Sequence, residues 1–308
     1  MGVWIDTDMG FDDIAAILVV QHSGLTIDGV SLSFGNSTLE QVCRNAVGAA
    51  TAFGWDFPIH AGAARPVMGQ LQTAEYILGQ SGIPTRGQTL PDVTTSPAHD
   101  AFAALCRWLE AAPAPRRILA LGPLGNLAAL TLARPDLAGR IDELVWMGGG
   151  LSRGNHTASA EFNALADPEA LAIILAHGLP LRMVDLDFCR RILVGPEDIA
   201  PLSSAGGSNA DLLADLLAGY VEIATSRGRP AMALYDPAAA VAFARPDLVT
   251  FAPAHIAVEC CGALTRGRTV VETRPSHAEF NAAYAADCDA EAVRGLILSA
   301  LLAEAGRA

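Results

Sequence analysis

The chain has 308 residues, 51% of them hydrophobic, with a formal net charge of −13. That length holds one large α/β domain or at most two smaller ones, and the acidity excludes a phosphate-backbone partner, so no nucleic acid is expected. All 20 basic residues are Arg, which removes Schiff-base chemistry, the P-loop lysine and every other lysine-dependent mechanism.

The first predicted strand is Val3-Trp4-Ile5. Four carboxylates follow within a few residues: Asp6, Asp8, Asp12 and Asp13. They fall on a strand-to-helix turn, ahead of the apolar helical pattern at 14–20. Two like charges about 5 Å apart at an effective dielectric near 20 repel by roughly 3 kcal/mol. Several such pairs strain a marginally stable domain unless protons or a cation neutralise them. Hard oxygen donors suit Ca²⁺ or Mg²⁺, so a divalent-cation site is expected on the first βα turn.

Further strands are predicted at 27–33, 118–121, 143–147 and 181–186, and helices at 39–53, 100–111, 124–133 and 168–177. Strand–helix alternation implies an open, mostly parallel, Rossmann-like α/β sheet with helices on both faces. Pro113-Ala-Pro115 separates one helix from the next strand. Residues 203–209 read as a mobile loop and 211–226 as a helix that could form part of a lid. Residues 256–260 and 269–273 flank Arg266-Gly267 and read as an added C-terminal β-hairpin. A helical stripe covers 289–303. No internal repeat or linker is evident, so residues 1–308 are expected to form a single domain.

In open parallel sheets, ligands bind beyond the carboxyl ends of the strands. The polar motifs stand there: Asp6–Asp13 after the first strand, Gly35-Asn36 after the second, Gly122-Pro-Leu-Gly-Asn126 and Gly148-Gly-Gly150 after later ones. Four such strand ends can converge on one crevice, and the carbonyl ahead of Gly122-Pro123 is free to serve as a ligand.

Together these residues resemble the inosine–uridine-type nucleoside hydrolase family over nearly the whole chain. The matching motifs are D-x-D-x-G-x-D-D at Asp6–Asp13, G-N at Gly35-Asn36, G-P-L-x-N at Gly122–Asn126, M-G-G-G at Met147–Gly150 with Gly154-Asn155-His156-Thr157 and Glu161-Phe162-Asn163, and D-P at Asp236-Pro237. The resemblance implies a ribonucleoside N-glycosidase serving purine or pyrimidine salvage, with a Ca²⁺ ion held by Asp8, Asp13, Asp236 and the Leu121 carbonyl. It implies that Asp12 and Asn163 meet the ribose 2′ and 3′ hydroxyls with Asn36 nearby in the substrate site, that Asn155 and Glu161 hold the 5′ hydroxyl, and that Met147 packs beside the sugar. Asp8 would accept the proton of the attacking water, while nearby carboxylates stabilise the oxocarbenium-like sugar. It also implies a homodimer or homotetramer, which is analogy alone.

Two positions depart from the family pattern. A His often precedes the late Asp as general acid for the leaving base; here the residue is Tyr235. A second His, usual in the base pocket, aligns with Leu78. Tyr235 can donate a proton only weakly at neutral pH, and it can also stack on a base.

Simpler readings apply elsewhere. Asp167-Pro168 and Asp236-Pro237 carry the same helix-start signal, an N-cap Asp with Pro at N1; only the second lies in a family motif. Asp6 is read as orienting its neighbours, and Asp185 and Asp187 as structural. His156 sits in a motif that does not call for His. The six cysteines, with no CxxC pair, read as free thiols in a reducing compartment. With a strand already beginning at Val3 and no long apolar run, neither a signal peptide nor a membrane span is expected, and the protein is expected to be cytoplasmic. A haloacid-dehalogenase-like phosphohydrolase also opens with D-x-D but normally requires Lys. The remaining alternative is a non-catalytic calcium-dependent nucleoside- or ribose-binding protein that lost acid catalysis.

Overall fold

The computed structural model describes residues 2–308. Eleven strands run in chain order: β1 Gly2–Thr7, β2 Thr26–Leu32, β3 Ile59–Ala61, β4 Arg117–Ala120, β5 Glu143–Met147, β6 Leu181–Val184, β7 Leu193–Val194, β8 Met232–Ala233, β9 Val249–Val258, β10 Thr269–Glu272 and β11 Ala282–Cys288. Nine form one sheet in the order β10-β9-β11-β6-β5-β4-β1-β2-β3, and β7 pairs with β8 in a small antiparallel ribbon. From β11 through β6, β5, β4, β1 and β2 to β3, every pairing is parallel. Only β9 runs against it, antiparallel to β11 on one side and to β10 on the other.

Alternation along the strands divides the core. Val3, Ile5, Leu119, Val145 and Met147 face one layer; Trp4, Ile118, Ala120, Leu144 and Trp146 face the other. The first layer receives the helices Phe11–His22, Leu39–Phe53, Ala210–Thr225, Asp236–Ala244 and Ala290–Ala305; the second receives Ala101–Ala111, Gly125–Ala133 and Pro168–Ala176. Side chains of opposite parity on one strand point to opposite faces, so a two-sided sheet needs near-continuous apolar strands. This is why the short runs were readable as parallel β.

The order reverses between β1 and β4. Connections from β1 run outwards through β2 and β3, then return to β4 on the other side. That switch point opens a crevice at the strands' carboxyl ends, and the acidic turn after β1 stands in it.

Two expectations need correcting. The predicted C-terminal hairpin exists as β9 and β10, but β9 begins at Val249 and is joined to the parallel sheet by β11, a strand with little β-branched character that was not read. The segment expected to be a mobile loop is stitched to the chain's end: the backbone N–H groups of Gly207 and Ser208 donate to the carbonyls of Ala305 and Arg307, each at 2.9 Å, and Asn209 donates to Glu304 at 2.7 Å. Its partners lie about a hundred residues away, beyond the reach of local composition. No helix among the described residues is long and apolar enough to cross a membrane.

Candidate active site

β1 continues through Asp6 and Thr7, so the acidic motif begins inside the sheet rather than on the turn. Asp6 is fully buried and accepts from Ser31 and, at 2.8 Å, from Asn126. Burial pushes its carboxyl up to about 6. It ties β1 to β2 and to the helix after β4, the orienting role the sequence suggested. The chain then turns sharply at Met9, which is buried and held at φ 42°. A side-chain-bearing residue in the left-handed region is a local strain, and here Asn45 holds the turn by donating to the Met9 carbonyl at 3.2 Å.

Helix Phe11–His22 starts immediately beyond. Asp13 caps it, accepting from the Gly10 N–H at 2.7 Å and from the Thr7 hydroxyl. The side chains of Asp12, Asp13 and Asp236 bring oxygens within 4.8 Å of one another. Asp8 joins them through Asn36, whose amide donates to Asp8 at 3.0 Å and to Asp13 at 3.2 Å. Among the described residues, no arginine or histidine pairs with any of the four. Burial holds all four carboxyls above the usual range, and the neighbouring carboxylates raise three of them further: Asp12 is pushed up to about 7, and Asp8 and Asp236 well upwards.

Asp236 differs from the expected N-cap. Tyr235 is the capping residue, and Asp236 stands in the first turn with no hydrogen bond to the helix backbone. At the matching Asp-Pro start, Asp167 does cap its helix, accepting from Ala170 at 3.2 Å and from Val67 at 3.0 Å. One carboxylate is thus occupied by its own helix, while the other is free to face the cluster.

The remaining predicted residues line the same crevice. The Leu121 carbonyl is not free as expected: it accepts from the Asn163 amide at 2.9 Å, and the same amide donates to the Met147 carbonyl at 3.0 Å. A carbonyl has two lone pairs, so one stays available. Glu161, expected to face a hydroxyl, caps the helix Phe162–Ala166 and also accepts from the Gly149 N–H at 2.8 Å; burial pushes it up to about 7. Asn155 accepts from the Phe162 N–H at 3.0 Å. The glycine run is conformational as well as steric: Gly149 has φ 72°, and a Cβ there would meet Met183 at 2.8 Å.

These groups border a cavity of about 600 Å³ that takes in Asp8, Asp12, Asn36, Met147, Tyr235 and Asp236, well within the size of a small-molecule site. Asp13 lies just behind them, fully buried. Leu78 and Tyr235, which stand where the family pattern has its two imidazoles, both line the cavity. Three contributors were missed by the sequence reading. Tyr220 donates to Asp12 at 3.4 Å and to the Ala233 carbonyl at 2.8 Å. His156 lines the cavity, its ring 5.2 Å from that of Phe162. Arginines gather at the open end. Tyr220 carries no local signal, because its partner is 208 residues away.

A buried, uncompensated acid cluster at the switch point of a doubly wound sheet, opening on a nucleoside-sized cavity, defines a metal-assisted small-molecule hydrolase. Residues 3–295 match the family model of the inosine-uridine preferring nucleoside hydrolases. The chain is 33% identical over 275 residues to the pyrimidine-specific ribonucleoside hydrolase RihA of Citrobacter koseri, covering 88% of each. It is 34% identical over 270 residues to the non-specific ribonucleoside hydrolase RihC of Salmonella paratyphi B, covering 87% of this chain and 86% of that one. Among solved structures, the purine-preferring ribonucleoside hydrolase from Gardnerella vaginalis superposes with a TM-score of 0.91 at 25% identity, covering 99% of both chains. The chain belongs to the inosine-uridine preferring nucleoside hydrolase family and is a ribonucleoside hydrolase.

Proposed function

We propose that this enzyme hydrolyses the N-glycosidic bond of ribonucleosides with Asp8 as general base, yielding free base and ribose. The observation that carries the reading is the carboxylate cluster of Asp8, Asp12 and Asp236 on the floor of the cavity with Asp13 directly behind them, none paired with a cation among the described residues. Buried charges of one sign persist only with protons or a cation beside them.

A divalent ion fits these donors, all hard oxygens, and Ca²⁺ fits best because it accepts many oxygen ligands in irregular geometry. Asp8, Asp13, Asp236 and the free lone pair of the Leu121 carbonyl would hold it. When bound, it would supply Lewis-acid polarisation of a water and of the ribose diol. Asp12 and Asn163 bind the 2′ and 3′ hydroxyls with Asn36 beside them, Asn155 and Glu161 bind the 5′ hydroxyl, and Met147 flanks the ring. Asp8 takes the proton from the water that attacks C1′, and the surrounding carboxylates offset the positive charge that grows on the sugar. Tyr235 faces the departing base. Burial pushes its phenol up to about 12, so it acts as a hydrogen-bond donor and stacking surface more than as a full proton donor.

The reading extends to one domain over residues 1–308 and a cytoplasmic homodimer or homotetramer without nucleic-acid or membrane partners. The six free cysteines and the acidic balance support that setting. The decisive experiment uses p-nitrophenyl riboside, whose leaving group needs little protonation. Hydrolysis that disappears in Asp8→Asn supports the enzyme; tight ribose binding without turnover of this compound or any natural nucleoside favours the non-catalytic binder.

A further inference from the structure

One polar group in the cavity has no part in the proposed mechanism. His156 lines it, on the loop that follows β5 and one residue beyond Asn155. Its Nδ1 is buried and has no hydrogen-bond partner among the described residues. The histidines that pair with a carboxylate there are His60 and His277. A buried polar atom left without a partner is unfavourable and uncommon, and in a native site it calls for a reason.

The loop does not need the imidazole. Gly154 donates to the Ala158 carbonyl at 3.1 Å, and the N–H groups of His156 and Thr157 both reach the Ala160 carbonyl at 3.4 Å. The Thr157 hydroxyl accepts from Ser159 at 3.2 Å and from Ala160 at 2.9 Å, and the Asn155 side chain accepts from Phe162 at 3.0 Å. A Cβ on Gly154 would overlap the Ala160 carbonyl. The turn is thus closed by the backbone, a hydroxyl and an amide. The His156 ring leaves it to pack on aromatic neighbours, 5.2 Å from Phe162 and edge-on to Tyr76 at 6.2 Å.

These contacts put the imidazole on an apolar wall. The cavity lining around it is Ala74, Ile77, Leu78 and Phe162, and Phe162 packs with Phe34, Ala74 and Ala166 in one cluster that Leu78 joins. The carboxylate floor suits the hydroxyls of a sugar; a wall of this kind suits a flat heterocycle. Burial holds the His156 imidazole below its ordinary range. A buried nitrogen without a partner also tolerates a lone pair far better than a charged N–H. The ring is therefore neutral, with its proton on Nε2, and acts as a hydrogen-bond donor without charge.

Chain order decides which part of a nucleoside that donor meets. Asn155 is assigned to the 5′ hydroxyl and His156 follows it directly, so the imidazole reaches the edge of the base that lies above C5′. In the anti conformation of a nucleoside this edge is C8 and N7 of a purine, where N7 offers a lone pair. In a pyrimidine it is C5–H and C6–H, which offer none. Resting on the hydrolase reading, we propose that His156 donates from Nε2–H to N7 of the base and that the enzyme therefore prefers purine ribonucleosides. A site built to donate a hydrogen bond rejects a ligand that cannot accept it, because its own donor is then left unpaired.

The test measures kcat/KM for inosine, 5′-deoxyinosine, uridine and p-nitrophenyl riboside in the wild type, His156→Ala and His156→Gln. It also measures the inhibition constant of 7-deazainosine, which carries C–H in place of N7. Thermal melts check that each variant is folded. The expected wild type cleaves inosine at least about tenfold more efficiently than uridine. In His156→Ala, inosine and 5′-deoxyinosine fall alike by about tenfold or more. Uridine and p-nitrophenyl riboside move by less than about threefold, and 7-deazainosine binds as it does to the wild type. His156→Gln keeps an N–H donor and recovers part of the inosine rate. A wild type that prefers uridine overturns the proposal, whatever the stability of the variants. So does an unchanged inosine rate in His156→Ala. So does a loss shared equally by inosine and uridine, or one that vanishes on 5′-deoxyinosine, because the imidazole then serves the sugar. If the wild type cleaves p-nitrophenyl riboside and any natural nucleoside, these failures leave the hydrolase reading standing; if it cleaves nothing, that reading falls first and the inference with it.

Discussion

Asn36 grips Asp8 with two donors: its backbone N–H reaches Oδ2 at 2.8 Å and its side-chain amide reaches Oδ1 at 3.0 Å. A general base must be aimed as well as ionised, and two donors on the two oxygens of one carboxylate fix its rotation. The neighbouring Gly35 leaves room for this, since a Cβ there would overlap the Asp8 carboxylate. Asn36→Ala keeps the backbone donor and removes the amide from both Asp8 and Asp13. Hydrogen bonds to charged groups are worth about 1.5–3 kcal/mol, so kcat/KM should fall by roughly ten- to a hundredfold. The fall should appear on the activated riboside too, because water attack rather than base departure is affected. Steady-state kinetics on both substrates checks it.

The Asp-Pro pair gives a sharper contrast. Asp167→Asn removes a capping carboxylate that also holds the Val67 N–H, so it should destabilise by about 1 kcal/mol with activity nearly intact. Asp236→Asn should do the opposite. It removes one of four crowded carboxylates whose protonation is favoured by Asp12, Asp13 and Asp8. In metal-free protein at about pH 8 its Tm should rise above the wild type's, while activity in calcium disappears. Thermal melts of both variants beside an activity assay decide the matter, and a lowered metal-free Tm for Asp236→Asn would be incompatible with the cluster described.

These two residues also mark how far the sequence reaches. The parallel sheet was legible because strands buried on both faces must be apolar throughout, and the acidic turn because like charges so close together demand a counter-charge. The two Asp-Pro starts look the same as strings. Which carboxylate turns to its own helix and which to a neighbour more than 220 residues distant depends on packing that local pattern does not encode. Tyr220 on Asp12, the pairing of β11 with β6 and the stitching of 203–209 to the C-terminus are invisible for the same reason: each is one contact between segments far apart in the chain. The glycines of Gly148–Gly150 were read as part of the site, but their tight fit against Met183 belongs to the fold.

Tyr235 makes a separable prediction. Its phenol is pushed up to about 12, chiefly by burial, so it stays protonated through neutral pH and donates a hydrogen bond. Tyr235→Phe keeps the aromatic face and deletes that donor. Inosine hydrolysis should fall by about tenfold, the weak end of acid catalysis, while p-nitrophenyl riboside changes by less than about threefold. Equal rates for the variant and the wild type on both inosine and uridine would remove the hydroxyl from the mechanism.

The buried carboxylates set how stability varies with pH. Asp167 and Asp185 are pushed up to about 6 and Glu161 to about 7, each first by burial. Unfolded carboxyls titrate near 4, so between about pH 4 and 7 the folded protein binds more protons than the unfolded chain. Stability then decreases as pH rises across that window. The contribution is fully present below the unfolded value and lost through the folded one. Metal-free protein should therefore melt at a higher temperature at pH 5 than at pH 7.5. Calcium should raise Tm more at the higher pH, where Asp12, at about 7 without metal, no longer holds its proton against the ion. Calorimetric scans with chelator and with millimolar calcium measure both slopes.

The loop carrying Asn155 is strapped from outside the cavity, which separates its positioning from the chemistry. Asp187 accepts from the N–H groups of Leu151 at 2.7 Å and Ser152 at 2.8 Å, and from the Ser152 hydroxyl. Arg268, just before β10, donates to the Leu151 carbonyl at 2.8 Å and also to that of Ser152. The added hairpin thus reaches back to hold the loop that places Asn155 and His156. Asp187→Asn removes the charge from that acceptor, and with it the ion pair to Arg190 at 3.6 Å, without touching the acid cluster. If the loop serves to bind the 5′ end of the sugar, ground state and transition state lose the contact together. KM for inosine should then rise by about tenfold with kcat changed less than about threefold. Because Asp8, Asp13 and Asp236 are untouched, calcium affinity followed by titration calorimetry should stay within about twofold of wild type. A fall in kcat with KM unchanged would mean instead that the loop acts on the reacting centre, and the strap would have to be reassigned to the chemical step.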